Sequence, residues 1–464
     1  MDRVIMTELK MNHEESFDHL KDLVKRHDIK YIRLMVIDLN GRPRAMFIPE
    51  YELGSALKHG VGFDGSSIAG FMGIEHSDLV ANPDPSTFLV PMWEAPGVAT
   101  MFCYISKPDG SPFEGDPRGL LKTTLDDLEK KEGLGFYTGP ELEFFYVTNQ
   151  SEDMAPFDSG GFLELPPLDP TDEIKMETMM YLEAAGFQLD KVIHEVAKGQ
   201  HEINFRYAEA LKTADNEVLY KLAVKTTAQK HGAVATFMPK PFWGANGSGC
   251  HIHMSIVNVK TGENIFYDPD THGLSENALH FIGGILNHAN GLSMVVAPTV
   301  NSYKRLVPHY EAPVYTCWGY GNRSAIIRVP WYPKEVGKTA RMEYRHPDPS
   351  CNPYLAAVAV LNAGLDGMKR KVDPGEPFSE NVYHLSKEEM EKRGIGMLPE
   401  HLGEAIESFS ADKVALNSLG GYSKNLVEVK RREYEDYLSF TGKGWKESLP
   451  KITSWEINQY LVRC

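Results

Sequence analysis

Four short stretches of this chain put functional side chains on one face of a strand, three of them by a spacing of two, the period that keeps residues on one face. In GPELEFFYV, Glu141 and Glu143 share one face, while Leu142, Phe144 and Tyr146 share the other. His251 and His253 alternate in the same way in GSGCHIHMS, as do Arg341, Glu343 and Arg345 in ARMEYRH. In VIHEVAKGQHEINFR, Lys198-Gly199 suits a two-residue hairpin turn. Pairing outward from it sets Ala197 against Gln200, Val196 against His201 and Glu195 against Glu202. Directly opposed like charges destabilise a sheet, and a cation between them removes that penalty. The bland alternatives are a longer open turn with both glutamates in water, an ordinary solvated face for Glu141 and Glu143, one buried and one surface histidine, and a surface ladder for Arg341, Glu343 and Arg345.

Together the stretches supply five glutamates and at least one histidine, with arginines nearby. Oxygen-rich ligation selects a hard ion such as Mg²⁺, and the histidine also admits Mn²⁺. Two such ions beside arginines suit phosphoryl transfer, which is mostly positioning and charge neutralisation. A Walker A loop is absent: GANGSG at 244–249 has its glycines, but Cys250-His251 stands where Lys-Ser/Thr belongs. No dinucleotide fingerprint follows a strand either. A nucleotide site therefore belongs to another architecture.

The remaining pattern is that of an α+β protein. At 464 residues the chain has room for two or three domains. A helix is expected over 14–27, then a hairpin from YIRLMVID to RAMFIP across Asn40-Gly41. GVGFDGSSIAGFMG at 60–73 reads as a loop with wide backbone freedom. The Pro/Gly-rich SPFEGDPRG sets the expected boundary, giving domains 1–116 and 117–464. Further helices are expected from Asp116-Pro117 to about Lys131, and over 171–185, 215–231, 275–291, 353–370 and 400–415.

A formal charge of −16 argues against nucleic-acid and anionic-membrane partners. Five cysteines without metal spacing read as free thiols. The N-terminal MDRVIMTELKMNHEE has no apolar signal core and no long apolar run follows, so a soluble cytoplasmic protein is expected.

Seven blocks carry a resemblance to type I glutamine synthetase of the alpha-like subtype, spread over nearly the whole length. They are FDGSSIAGF, GPELEFF, HEVAKGQHEIN, FMPKPFWGANGSGCHIHMS, NSYKRLVPHYEAP, NRSAIIRVP and ARMEYRHPDPSCNPYLA. The resemblance implies an N-terminal β-grasp-like domain and a catalytic domain with a curved antiparallel sheet. It implies a dodecamer of two hexameric rings whose active sites lie between subunits. The implied reaction joins ammonium to L-glutamate with ATP through γ-glutamyl phosphate. A glutamate–polyamine ligase of the same superfamily and a non-catalytic regulatory scaffold are the alternatives. A nitrogen-regulatory protein is a further partner that such a family admits.

Residue by residue, Glu143, Glu195 and Glu202 resemble ligands of one metal, and Glu141, His251 and Glu343 those of a second that meets the ATP phosphates. Tyr207, His253, Ser255, Arg328 and Lys338 resemble nucleotide contacts. Asn246, Gly247, Arg305 and Arg345 resemble the glutamate site. Arg323 resembles the arginine at the transferring phosphoryl group, Glu311 the flap glutamate over the intermediate, and Asp64 the group that deprotonates ammonium from the neighbouring subunit. The sequence departs from the family pattern in places. The span between Glu143 and Glu195 lacks the β-subtype insertion. Tyr383 lies in NVYHLSKEE rather than the context of adenylylated members. Asp190 replaces a glutamate, His309 a flap glycine, and Phe162 a tyrosine at the ammonium site. Gly73 stands where some alpha-type members carry an arginine linked to glutamine inhibition.

Overall fold

The computed structural model describes residues 13–68, 70–71, 73, 77–271, 273–308, 310–331 and 339–464. The N-terminal unit is a five-stranded mixed sheet in the order Pro43–Pro49, Tyr31–Ile37, Val98–Ser106, Asp78–Pro83, Val61–Asp64. Its second strand, Tyr31–Ile37, is buried on both faces. Ile32, Leu34 and Val36 pack into the unit's own core with Leu20, Leu79 and Met101. Met35 and Ile37, one residue out of phase, join the larger core of the rest of the chain. The period-two pattern thus welds this β-grasp sheet to its neighbour.

The expected hairpin forms, but not on a two-residue turn. Tyr31–Ile37 pairs antiparallel with Pro43–Pro49, and residues 38–42 make a wider loop. The Asp38 carboxylate shapes it, accepting the N–H groups of Asn40 at 2.9 Å and Arg42 at 3.0 Å. Gly41 sits at φ 77°, where a Cβ would come within 2.7 Å of the Asn352 Cα. Only glycine fits so close an approach at positive φ. Asn352 donates to the carbonyls of Asp38 and Leu39 while its oxygen caps the helix Pro353–Arg370.

Arg118 is a second tie between the units. Its guanidinium meets Asp215 through Nε at 3.0 Å and Nη2 at 2.9 Å, and Nη2 also reaches Asp84 at 2.8 Å. Its Cζ lies 4.4 Å from the Tyr104 ring centroid, and the Tyr354 hydroxyl donates to Asp215 at 2.6 Å.

The larger unit holds a curved sheet in the order Gly396–Met397, Tyr315–Tyr320, Ala325–Val329, Met342–Tyr344, Cys250–Asn258, Leu134–Val147, Gln200–Phe205, Leu189–His194. Pairing is antiparallel except between Tyr315–Tyr320 and Ala325–Val329. Helices back it, among them Glu276–Val296 against Pro353–Arg370. The expected helices form with shifted ends. Ala210–Lys230 starts early because the Glu209 side chain caps Leu211 N–H. Glu276–Val296 runs on through a buried apolar end. The 400–415 expectation splits at Asp412, whose carboxylate caps a new helix, Lys413–Ser418. All five cysteines are buried and free. Among the described residues, no helix is long and apolar enough to cross a membrane.

Replacing Arg118 by alanine would strand two carboxylates at the seam. Breaking a buried ion pair from one side costs roughly 3–5 kcal/mol. R118A is therefore expected to unfold at clearly lower urea than the parent, as followed by tryptophan fluorescence and circular dichroism together.

Candidate active site

Strand Leu134–Val147 is the axis of the site. Antiparallel register sets its Glu141 opposite His251 on one neighbour and its Glu143 opposite Glu202 on the other. Next in the sheet, Met342–Tyr344 sets Glu343 opposite His253 and, on its far side, Arg328. Two groups of potential ligand atoms result, each gathered within 4.8 Å: Glu141, His251 and Glu343, and Glu143, Glu195 and Glu202.

The expected pairing of Glu195 with Glu202 does not occur. Ile193 stands opposite Glu202 and His194 opposite His201, so the register differs by two residues. Residues 195–199 form a wider loop, closed by Glu195 N–H to the Gln200 carbonyl at 2.7 Å. A shift of two preserves the facing of every side chain. Glu195 therefore still reaches the cluster from the loop, and Glu143 takes the place directly opposite Glu202.

Two cavities flank the axis. One of about 300 Å³ is lined by Glu141, Asp190, Tyr207, His253, Ser255 and Arg341 among others. A small polar cavity on the other side is lined by Glu143, Glu195, Asn246, Gly247, Arg305, Glu311 and Arg345 among others. Arg305 is buried and donates to the backbone carbonyls of His346 at 2.8 Å and Arg345 at 3.1 Å. Glu311 is exposed in the irregular segment before Tyr315–Tyr320, at φ 57°, a left-handed conformation that strains a residue with a side chain. The Asn246 amide reaches toward it at 3.4 Å. The Tyr383 hydroxyl donates to the carbonyl of Ala312 in the same segment at 2.7 Å.

Asp64 and Arg323 are both exposed and line neither cavity. The Asp64 carboxylate accepts from the Ser66 and Ser67 hydroxyls at 2.6 Å each, which holds it below the usual carboxylate range. Phe162 is 57% exposed. Gly73 is exposed, and Lys338 and His309 lie outside the described residues. A larger cavity of about 530 Å³, between the Asn40–Pro43 loop and the C-terminal helices, contains none of the expected site residues.

The electrostatics of the two clusters differ. Burial, then the charges of Glu195 and Glu202, pushes the Glu143 carboxyl well up. Burial, then Glu141 and Glu195, pushes Glu202 up to about 8. These acids repel one another in a dry place, an arrangement that a cation relieves. At the other cluster, burial pushes Glu343 up, but Arg345, His253 and His251 outweigh it and hold the carboxyl at about 2. Arg345 Nη1 lies 2.5 Å from Glu343 and Arg328 also pairs with it. Burial, then Arg345, lowers His251 to about 4, which keeps a neutral ring with a free lone pair. Among the described residues, His253 Nδ1, Arg328 Nε and Arg345 Nε are buried and find no hydrogen-bond partner. Both donor sets fit divalent ions: three carboxylates in one, and two carboxylates with a neutral imidazole in the other.

Sequence reasoning passed over two supporting residues. Gln200 donates to Glu143 at 2.8 Å and Asn204 to Glu202 at 2.7 Å. The signal was present, since Gln200, Glu202 and Asn204 repeat at a spacing of two in GQHEIN.

The profile of the glutamine synthetase β-grasp domain matches residues 28–108, and that of the glutamine synthetase catalytic domain matches residues 114–460. Glutamine synthetase of Pyrococcus horikoshii is 49% identical over 434 residues, covering 93% of this chain and 96% of that protein. That of Thermotoga maritima is 44% identical over 454 residues, covering 96% and 99%. Among solved structures, the GmaS/ADP complex matches with a TM-score of 0.83 at 32% identity, covering 95% of this chain and 98% of that one. Fold and site thus define the class, an ATP-dependent ligase with paired carboxylate clusters. Within that class, the chain belongs to the glutamine synthetase family.

Two outcomes test the clusters. Because Glu202 is protonated below about pH 8 in the metal-free protein, a cation must displace that proton. Mn²⁺ affinity is expected to rise from pH 6 to pH 8, with proton release seen by calorimetry in buffers of different ionisation enthalpy. Separately, Glu143→Ala should remove one class of Mn²⁺ sites and Glu343→Ala the other; a single class lost in both variants would mean one shared site.

Proposed function

We infer that this chain is a type I glutamine synthetase, forming L-glutamine, ADP and phosphate from L-glutamate, ammonium and ATP. The observation that carries the reading is the position of Glu141 and Glu143, two residues apart on one strand, between the two cavities. A nucleotide in the Tyr207 cavity would turn its phosphates toward Glu141. A carboxylate substrate held by Arg305 and Arg345 would lie at Glu143. The two reactants would therefore meet over the strand.

Glu141, His251 and Glu343 would hold one divalent ion and Glu143, Glu195 and Glu202 another. Magnesium suits the oxygen donors, and manganese suits the set with histidine. Such ions supply charge neutralisation for phosphoryl transfer. The residues of the chain do the rest. Tyr207, His253, Ser255, Arg328 and Lys338 hold the nucleotide, with Tyr207 against the base. Asn246, Gly247, Arg305 and Arg345 orient L-glutamate. Its γ-carboxylate oxygen attacks the terminal phosphorus of ATP, the bond to ADP breaks, and Arg323 balances charge on the transferring group. Ammonium gives a proton to Asp64 of the neighbouring subunit and attacks the γ-glutamyl phosphate, expelling phosphate. Glu311 and the flap shield that intermediate from water.

This reading includes an N-terminal domain ending at residue 116, a catalytic domain from 117, and a dodecamer of two hexameric rings. It belongs to the alpha-like subtype and works in the cytoplasm. The exposed Asp64, away from both cavities of its own chain, supports a site completed across a subunit boundary.

A coupled assay of ADP release with glutamate, Mg²⁺ and either ammonium or putrescine tests the activity. Turnover with putrescine and not ammonium would replace the reading with a polyamine ligase; turnover with neither would defeat both. For the shared site, inactive Asp64→Ala and inactive Arg323→Ala subunits are expected to regain activity when assembled together, because some boundaries then carry neither change. No recovery in verified mixed oligomers would place both residues in one subunit's site.

A further inference from the structure

Asp158 lines neither cavity flanking the axis and has no part in the reaction above. Its side chain, with those of His194 and His201, is fully buried. One carboxylate oxygen accepts the backbone N–H of Gly199 at 2.7 Å and of Gly160 at 3.1 Å, and lies 2.9 Å from His194 Nε2. The other oxygen lies 2.9 Å from His201 Nε2. These partners are not scattered. His194 directly precedes Glu195, and its Nδ1 lies 2.7 Å from the Glu195 carbonyl. His201 directly precedes Glu202 and stands opposite His194 in the ladder. Gly199 lies in the loop that joins the two strands. One carboxylate therefore fastens both strand ends and the loop between them.

We propose that Asp158 is a positioning residue for the Glu143–Glu195–Glu202 metal site, setting the separation of Glu195 and Glu202 through His194, His201 and Gly199. The proposal rests on reading that cluster as a metal site. Glu195 needs such support more than the other two ligands, since it projects from a loop while they sit on paired strands. A site's geometry is as precise as the elements that carry it.

The group Asp158, Asp169, His194 and His201 could itself be taken for a cation cage, since its ligand atoms lie within 4.8 Å of one another. Its hydrogen bonding points the other way. A carboxylate offers about four lone-pair directions, and Asp158 already faces four nitrogens. Asp169 is engaged by Lys175 Nζ at 2.6 Å and by the Thr171 hydroxyl and N–H. This is a hydrogen-bond hub that supports a neighbouring site. The same hub pins the following loop, where Leu163 N–H donates to the His194 carbonyl at 3.1 Å.

The test is Mn²⁺ binding to the assembled enzyme, followed by the electron paramagnetic resonance of free ion. Glu143→Ala and Glu343→Ala identify which class of sites is which. Asp158→Asn keeps the size of the side chain but turns one acceptor into a donor that faces N–H groups. It is expected to weaken the Glu143-side class roughly 10- to 100-fold, the usual cost of losing a ligand's hydrogen-bonding support, and to leave the Glu343-side class unchanged. If that variant does not assemble, Gly160→Ala provides the same reading, since its Cβ would press within 2.7 Å of His194 Nε2. Unchanged affinity at the Glu143 side overturns the proposal, as does equal weakening of both classes together with a lower melting temperature. A parent enzyme that binds no Mn²⁺ at that side would instead overturn the metal-site reading, and the proposal with it.

Discussion

The structure is organised around one unfavourable contact. Strand Leu134–Val147 is hydrogen-bonded on both sides, and its register sets Glu143 directly opposite Glu202. Buried carboxylates so placed repel, and nothing in a sheet's own chemistry rewards them. The fold holds them through the surrounding apolar core, where Leu142, Phe144 and Tyr146 fill the opposite face of the same strand. Packing energy on one face thus maintains electrostatic strain on the other. That strain is what makes the cluster a receptor for a cation.

The neighbouring cluster is tuned in the opposite sense. Arg345 and Arg328 pair with Glu343 and keep it ionised, while His251 stays neutral. Two sites on adjacent strands therefore present different charge and different ligand chemistry. One side opens onto the cavity of Tyr207 and Ser255, the other onto that of Arg305 and Arg345. The division follows from which neighbouring strand pairs with each glutamate, His251 opposite Glu141 and Glu202 opposite Glu143, and from the residues that flank them.

The N-terminal sheet is attached both by apolar packing and by specific polar contacts. Both faces of Tyr31–Ile37 are buried, one in each core. Gly41 lets its hairpin loop lie against Asn352 at the start of helix Pro353–Arg370. Arg118 joins Asp84 to Asp215 across the same seam. Val61–Asp64 is the far edge strand of the unit, and its exposed Asp64 lines neither of its own chain's two cavities.

Much of the site was legible in the sequence because strand parity is a local property. Glu141, Glu143, His251 and Glu343 needed only a spacing of two to be placed on common faces, and the helix of Pro353–Arg370 needed only its cap and its apolar run. What the sequence misplaced was register. Lys198-Gly199 looked like a tight turn, yet Gly199 N–H and the two flanking histidines are drawn to Asp158, and the loop widens around them. The hairpin at Asn40-Gly41 widened for the same kind of reason, with Asp38 as acceptor and Asn352 as the docking partner. Face is decided within a few residues and survives any even shift. Register and loop length are decided by hydrogen-bond partners far along the chain, and only the folded structure brings those partners together.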